Sequence, residues 1–113
     1  MKNKDPNNLD QHAAGAKLDA GKIKADLVLG AFSRALSEVC SVGTFGASKY
    51  TPYGWLEVED GINRYSDAML RHYLLEKQAE LHDNESELLH AAHLAWNALA
   101  RLELMLREKE LSE

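Results

Sequence analysis

At 113 residues the chain has room for one domain, and 45% hydrophobic with 27% charged residues allows a core inside an ordinary polar surface. Thirteen Lys and Arg against eighteen Asp and Glu leave a net charge of −5, which excludes the basic face a duplex-binding protein uses to neutralise phosphates. A nucleic-acid polymer is therefore not an expected partner, whereas a mononucleotide needs only a few local cations. No run approaches the roughly 20 apolar residues of a membrane span, the opening MKNKDPNNLDQH carries no apolar signal segment, and the lone Cys40 cannot form an internal disulfide. A soluble, cytoplasmic protein with no membrane partner is expected.

Residues 1 to about 15 are dominated by Asn, Asp, Lys and Pro and read as a disordered tail. Residues 16–113 read as a single all-helical, nucleotide-binding domain, opened by an arm that carries Lys17, Lys22 and Lys24. A first helix is expected from about residue 26 to about residue 42, where Leu29, Phe32, Leu36 and Cys40 recur at helical spacing. Gly43 and Gly46 weaken that helix, and Lys49-Tyr50-Thr51-Pro52-Tyr53-Gly54-Trp55 makes a turn. A second helix is expected from near 56 to about 81, with Ile62, Tyr65, Met69 and Tyr73 on its apolar face. Asn84 with Glu87 three residues on reads as a capping-box variant that opens a third helix, ending near 108. Its apolar stripe is Leu88, Ala92, Ala95, Leu99, Leu102 and Leu106. The second and third helices, each roughly 35 to 40 Å long at about 1.5 Å per residue, must fold back as a long antiparallel hairpin. The fold class is thus all-α. One shorter helix cannot cover so long a hairpin, so an oligomeric helical bundle is expected, as a homo-oligomer.

Beside the apolar stripe of the third helix runs a polar row, Ser86, His90, His93, Asn97 and Arg101. His90 and His93 can each ligate a metal or hydrogen-bond a phosphate; equally, the row can be a polar inner seam satisfied by the neighbouring helix. Glu80, Asp83, Glu85 and Glu87 gather around the hairpin turn, an oxygen-rich cluster that suits Mg²⁺ or Mn²⁺ or simply complements a helix dipole. Arg71 can hold a phosphate in bidentate fashion, and His72 can join His90 and His93 or be a buried imidazole. Asp60, Arg64 and Asp67 read as a solvated face or an inter-subunit seam. In the turn, Tyr50, Tyr53 and Trp55 can stack on a base while Lys49 approaches a phosphate, or Trp55 can plug the open end of the bundle. The arm from Lys17 to Lys22 adds cations but lacks the ending of a Walker-type loop.

Three segments together resemble a phage-associated family of dATP/dGTP diphosphohydrolases, in its N-terminal domain. They are Lys17-x-Asp-x-Gly-Lys22, then Phe45-Gly-Ala-Ser-Lys49-Tyr50 with Trp55, then Arg71-His72 leading to Glu80, Asp83-x-Glu85-Ser86 and His90-x-x-His93-x-x-x-Asn97. That family is similar to the MazG-like all-α nucleotide pyrophosphohydrolases. The resemblance implies an oligomeric helical bundle in a phage-infected or lysogenic host, with Mg²⁺ or Mn²⁺ held by carboxylates. Water would then attack a purine (deoxy)nucleoside triphosphate to release pyrophosphate. It makes Glu80, Asp83 and Glu85 the expected catalytic carboxylates, and Glu85, His72, His90 and His93 the expected metal ligands. Lys17, Lys22, Lys49, Tyr50, Trp55, Arg71 and Asn97 would bind the nucleotide. MazG-like enzymes pair an E-E-x-x-E run with E-x-x-D on the next helix, whereas this chain offers Glu76-x-x-x-Glu80 and Glu87-x-x-His90. Fewer carboxylates leave a second expectation beside hydrolysis: a non-catalytic anti-defence protein that sequesters an immune signalling nucleotide.

Overall fold

The computed structural model describes residues 4–112, with side chains through Glu110, and residues 1–3 of the expected tail and residue 113 lie outside the described residues. The described residues contain helices and two isolated antiparallel bridges, Lys4 with Ala20 and His82 with Leu89, but no β-strand. The fold is all-α, as the periodicity requires. No helix among the described residues is long and apolar enough to cross a membrane.

The chain divides into two units, residues 1–33 and 34–113. In the first, turns are organised around Asp5, a buried carboxylate that accepts hydrogen bonds from the backbone N–H groups of Asn7 (2.7 Å) and Lys17 (2.6 Å). Gly15 and Gly21 stand at φ +87° and +82°, values that glycine adopts without the steric cost a Cβ would bring. Helix α1, Ala25–Leu29, follows, with a 3₁₀ turn at Gly30–Phe32.

The second unit is built on α2 (Ser33–Lys49), a 3₁₀ turn (Gly54–Glu57), α3 (Gly61–Lys77) and α4 (His90–Ser112). α2 continues seven residues beyond the expected stop at Val42. Gly43 does not break it, because its bare Cα serves packing: a Cβ there would lie 3.1 Å from the indole Nε1 of Trp96. α3 starts later and stops earlier than expected. Asp60, at φ 55°, sits at its N-terminus, and a Schellman arrangement ends it: Ala79 N–H donates to the Glu76 carbonyl and Glu80 N–H to that of Leu75 (both 3.1 Å).

The α3 and α4 helices form the expected antiparallel hairpin, about 25 and 34 Å long at roughly 1.5 Å per residue. Gly61 meets Leu104 at one end, Ser66 accepts a 2.7 Å hydrogen bond from Arg101 Nε, and His72 meets His90 and His93 at the other. The connection is longer than expected and the capping box does not form. Residues 78–89 make a bridged loop in which Asp83 N–H donates to Leu88, His90 N–H to Leu81 and Glu87 N–H to Asp83, each at 2.8 Å. Glu87, at φ 64°, cannot reach back as an N3 capping residue.

The buried face of α4 is not the leucine stripe but the polar inner seam that the sequence left open as an alternative. Its buried residues are His90, Ala92, His93, Asn97 and Ala100, while Leu99, Leu102 and Leu106 are about half exposed. The polar row is the seam.

Candidate functional site

The sequence makes α3 and α4 helical and antiparallel, and that geometry sets His72, one turn from the end of α3, against the first turn of α4. His90 is almost completely buried. Its Nε2 lies 2.7 Å from the Glu80 carboxylate, and its Nδ1 lies 2.7 Å from Nδ1 of His72. A carboxylate only accepts, so Nε2 of His90 carries the proton. In the neutral ring Nδ1 is then an acceptor facing His72. His72 stacks on His93 with ring centroids 4.5 Å apart and planes 11° from parallel. His93 Nε2 is 2.6 Å from the Ser86 hydroxyl and 3.8 Å from Asp83 Oδ2. Asp83 is fixed by the Ser86 N–H at 2.8 Å, and Asn97 ties into the same helix by donating to the His93 carbonyl at 2.8 Å.

Three imidazoles packed this closely cannot all charge. Burial, reinforced by His93 and His90, pushes the His72 pKa down to about 4, against the opposing pull of Asp83. Burial also lowers His93, again opposed by Asp83. Burial raises the Asp83 carboxyl, but the Ser86 backbone and side-chain hydrogen bonds outweigh it and leave the group below its ordinary value. The Asp83 carboxylate thus stands beside two imidazoles, His72 and His93, that burial holds toward their neutral forms.

This cluster forms one wall of an open groove of about 1340 Å³ in the second unit. Lys49, Tyr50, Trp55, Arg71, His72, Asp83, Glu85, His93 and Asn97 all line it, so most of the residues singled out in the sequence meet here. Lys49 and Glu85 form an ion pair, and the Lys49 ammonium lies 5.1 Å from the Tyr50 ring centroid. The Glu85 carboxylate, and secondarily the Tyr50 hydroxyl, raise the Lys49 pKa and keep it charged. Glu80 and His90 stand behind the wall and act on it through His72. Lys17 and Lys22 belong to the first unit.

Among the lining residues that the sequence did not single out as site residues are Arg64, Tyr65, Asp67 and Trp96. Arg64, Asp67 and Arg71 fall three and four apart, so the row assigned to a solvated face turns toward the groove. Trp55 serves the structure as well as the groove, in a cluster of edge-to-face rings with Tyr65 (6.4 Å) and Trp96 (5.7 Å). The Tyr65 hydroxyl donates to the Trp55 carbonyl at 2.8 Å. Tyr50 and Tyr53 remain largely exposed.

A groove with cations, carboxylates and an exposed aromatic rim can hold a phosphorylated, ring-bearing ligand. The chain is 35% identical over 81 residues to a dATP/dGTP diphosphohydrolase of Salmonella phage PMBT28; the alignment covers 72% of this chain and 26% of that protein. The chain thus spans about a quarter of that relative's length. No solved structure matches it. Residues 12–113 match the family described as dATP/dGTP diphosphohydrolase, N-terminal, and the chain belongs to that family.

Proposed function

We propose that the groove binds a purine (deoxy)nucleoside triphosphate and, with a divalent metal, directs water onto it, giving the nucleoside monophosphate and pyrophosphate. The observation that carries this reading is the convergence on one groove of Lys49, Arg64 and Arg71, three cations for a polyphosphate, with the Asp83–His72–His93 wall. Lys49 is held in reserve by Glu85, and an incoming phosphate competes for it, freeing the Glu85 carboxylate to orient water. Arg71, exposed at the groove edge, presents its planar fork to phosphate oxygens. Tyr50 offers a free ring face to the base, and Asn97 and His93 line the groove floor. The donors in the wall fit a divalent ion: His72, Asp83 and His90 each offer one ligand atom, all within 4.8 Å of one another. An ion bound there supplies charge neutralisation and a more acidic water. The two carboxylates nearest the turn, Asp83 and Glu85, take the water-positioning role, while Glu80 acts on His90. A phage protein working in the host cytoplasm, assembled as a homo-oligomer over its exposed leucines, fits this reading.

One observation favours the second reading, sequestration without cleavage. Asp67, Asp83 and Glu85 are the carboxylates lining the groove, and Glu85 is already paired. One experiment separates the two. The protein is incubated with dATP, dGTP, ATP and GTP and with Mg²⁺ or Mn²⁺, then analysed by anion-exchange chromatography before and after heat denaturation. Monophosphate with pyrophosphate establishes the hydrolase. Intact nucleotide lost from solution and recovered on denaturation establishes sequestration. Full recovery of every nucleotide without heating overturns both cleavage and sequestration of a purine triphosphate.

A further inference from the structure

The three imidazole and carboxylate donors at the loop end of the hairpin do not form the donor set that a magnesium site uses. Mg²⁺ takes oxygen ligands and gives up its water reluctantly. Here two of the three convergent groups are nitrogens, His72 and His90, and one is an oxygen, Asp83. Imidazole nitrogens raise affinity along the first-row series toward zinc and copper and add little for magnesium.

Each of these three groups is also gripped from outside the set. The Glu80 carboxylate accepts from Nε2 of His90, which leaves the Nδ1 lone pair of His90 aimed at His72. A carboxylate behind a ligating histidine is the arrangement that fixes its tautomer and raises its basicity. The stacked ring of His93 sets the plane of His72, and His93 in turn is held by Ser86. The Ser86 N–H holds Asp83. A hydrogen-bonded seam needs partners for its polar atoms, but it has no need for two imidazoles and a carboxylate to bring possible ligand atoms within 4.8 Å of one another while each group is oriented by a separate residue. His72 and Asp83 line the groove whereas His90 is buried behind them, so an ion held by the three keeps open positions toward the groove for water or a phosphate oxygen.

We propose that His72, Asp83 and His90 form a site for one transition-metal ion, selective for Co²⁺ or Zn²⁺ over Mg²⁺, with Glu80 as the positioning residue that orients His90. The proposal deepens the metal-dependent reading above and rests on that reading's metal site, not on hydrolysis. Its test therefore uses the metal alone. Untagged, chelator-treated protein is titrated with Co²⁺, Zn²⁺ and Mg²⁺ by calorimetry, and Co²⁺ binding is followed by visible absorption, which reports nitrogen ligation directly.

The expected result is one Co²⁺ or Zn²⁺ per chain, bound on the order of 100-fold more tightly than Mg²⁺. His72→Ala and Asp83→Asn should abolish or shift the Co²⁺ spectrum while the helical circular dichroism is kept. Glu80→Gln, which preserves shape but removes the charge behind His90, should weaken Co²⁺ by roughly 10- to 100-fold with the spectrum otherwise intact. His90→Ala empties a buried position and can unfold the chain, so Glu80→Gln and His72→Ala carry the test. Equal affinity for Mg²⁺ and Zn²⁺, a Co²⁺ spectrum unchanged by His72→Ala, or no Co²⁺ bound by folded protein overturns the site. An unaltered affinity in Glu80→Gln overturns the positioning role. Metal binding without nucleotide turnover would leave this site standing while the hydrolase reading fails.

Discussion

Lowering the pH should destabilise the protein through His72, and by a calculable amount. Its pKa falls from 6.5 to about 4 on folding, chiefly because the ring is taken from water into the seam. The unfolded chain therefore binds a proton that the folded chain refuses, and stability rises with pH between those two values. The full stabilisation is present above about pH 6.5 and is lost as pH falls toward about 4, where the curve flattens. At about 1.4 kcal/mol per pH unit the whole effect is about 3 kcal/mol. Between pH 7.5 and 5.5 the loss is about 1.4 kcal/mol. His93, lowered for the same reason, adds to it in the same direction. The assay is urea denaturation followed by circular dichroism from pH 7.5 to 4.5, with chelator present, on the native chain and on His72→Gln, whose amide can still pair with His90. The variant should lose about 1.4 kcal/mol less than the native chain between pH 7.5 and 5.5. Superimposable pH dependences would refute the claim that burial keeps His72 neutral.

Three further outcomes follow from particular contacts. Gly61→Ala places a Cβ 2.8 Å from Leu104 Cδ1, the tip of a flexible side chain that can turn aside while alanine lowers the entropy of the unfolded chain, so it should change stability by less than about 1 kcal/mol in urea denaturation; a larger loss would show that Leu104 is locked in place. Ala79 closes α3 at φ 70°, so Ala79→Gly should stabilise by about 1 kcal/mol, read as a higher urea midpoint with an unchanged slope. Arg71→Ala removes an exposed guanidinium from the groove edge. It should weaken binding of a non-hydrolysable dGTP analogue on the order of ten- to a hundred-fold in calorimetry while leaving the melting temperature unchanged, and an unaltered affinity would remove Arg71 from the phosphate site.

The hairpin was legible because it rests on local periodicity. Ile62, Tyr65 and Met69 recur at helical spacing and are all partly buried on α3. The identity of the buried face of α4 was not legible in the same way. Hydrophobicity points Leu99, Leu102 and Leu106 inward, but the neighbour they would need is occupied by the seam of His90, His93 and Asn97. Sequence alone can count the polar row but cannot see that Glu80 and His72 satisfy His90 from elsewhere in the chain, or that Ser86 turns back onto His93. The loop at 78–89 failed for a related reason. Its shape depends on backbone bonds such as His90 to Leu81, and no side-chain signature announces them. Gly43 read as a weak point because helix propensity was the only term in view, while its contact with Trp96 lies far away along the chain. Lys49, Arg71, His72 and Asp83, each unusual for the position it holds, could be named from the sequence, and the structure brings them to one groove.

A seam of this kind has an energetic consequence that bears on function. The fully buried apolar side chains among the described residues are Val42, Ala92 and Ala100, all small. Burial at roughly 25 cal/mol per Å² therefore yields little along this interface compared with a leucine seam. Polar partners keep the seam from being ruinous, since no buried side-chain nitrogen or oxygen among the described residues lacks a hydrogen bond. Yet satisfied hydrogen bonds contribute only about 1 kcal/mol each net of what water offered. The hairpin thus sets aside the stability of an apolar interior in order to hold lone pairs in fixed directions beside a groove. Anything that engages those lone pairs in the folded state alone, whether an ion or a phosphate, adds its whole binding free energy to a modest starting stability. Replacing the seam with leucines should accordingly give a hairpin that is more stable and that gains nothing from metal or nucleotide, and the loss of that ligand response separates a functional seam from a merely tolerated one.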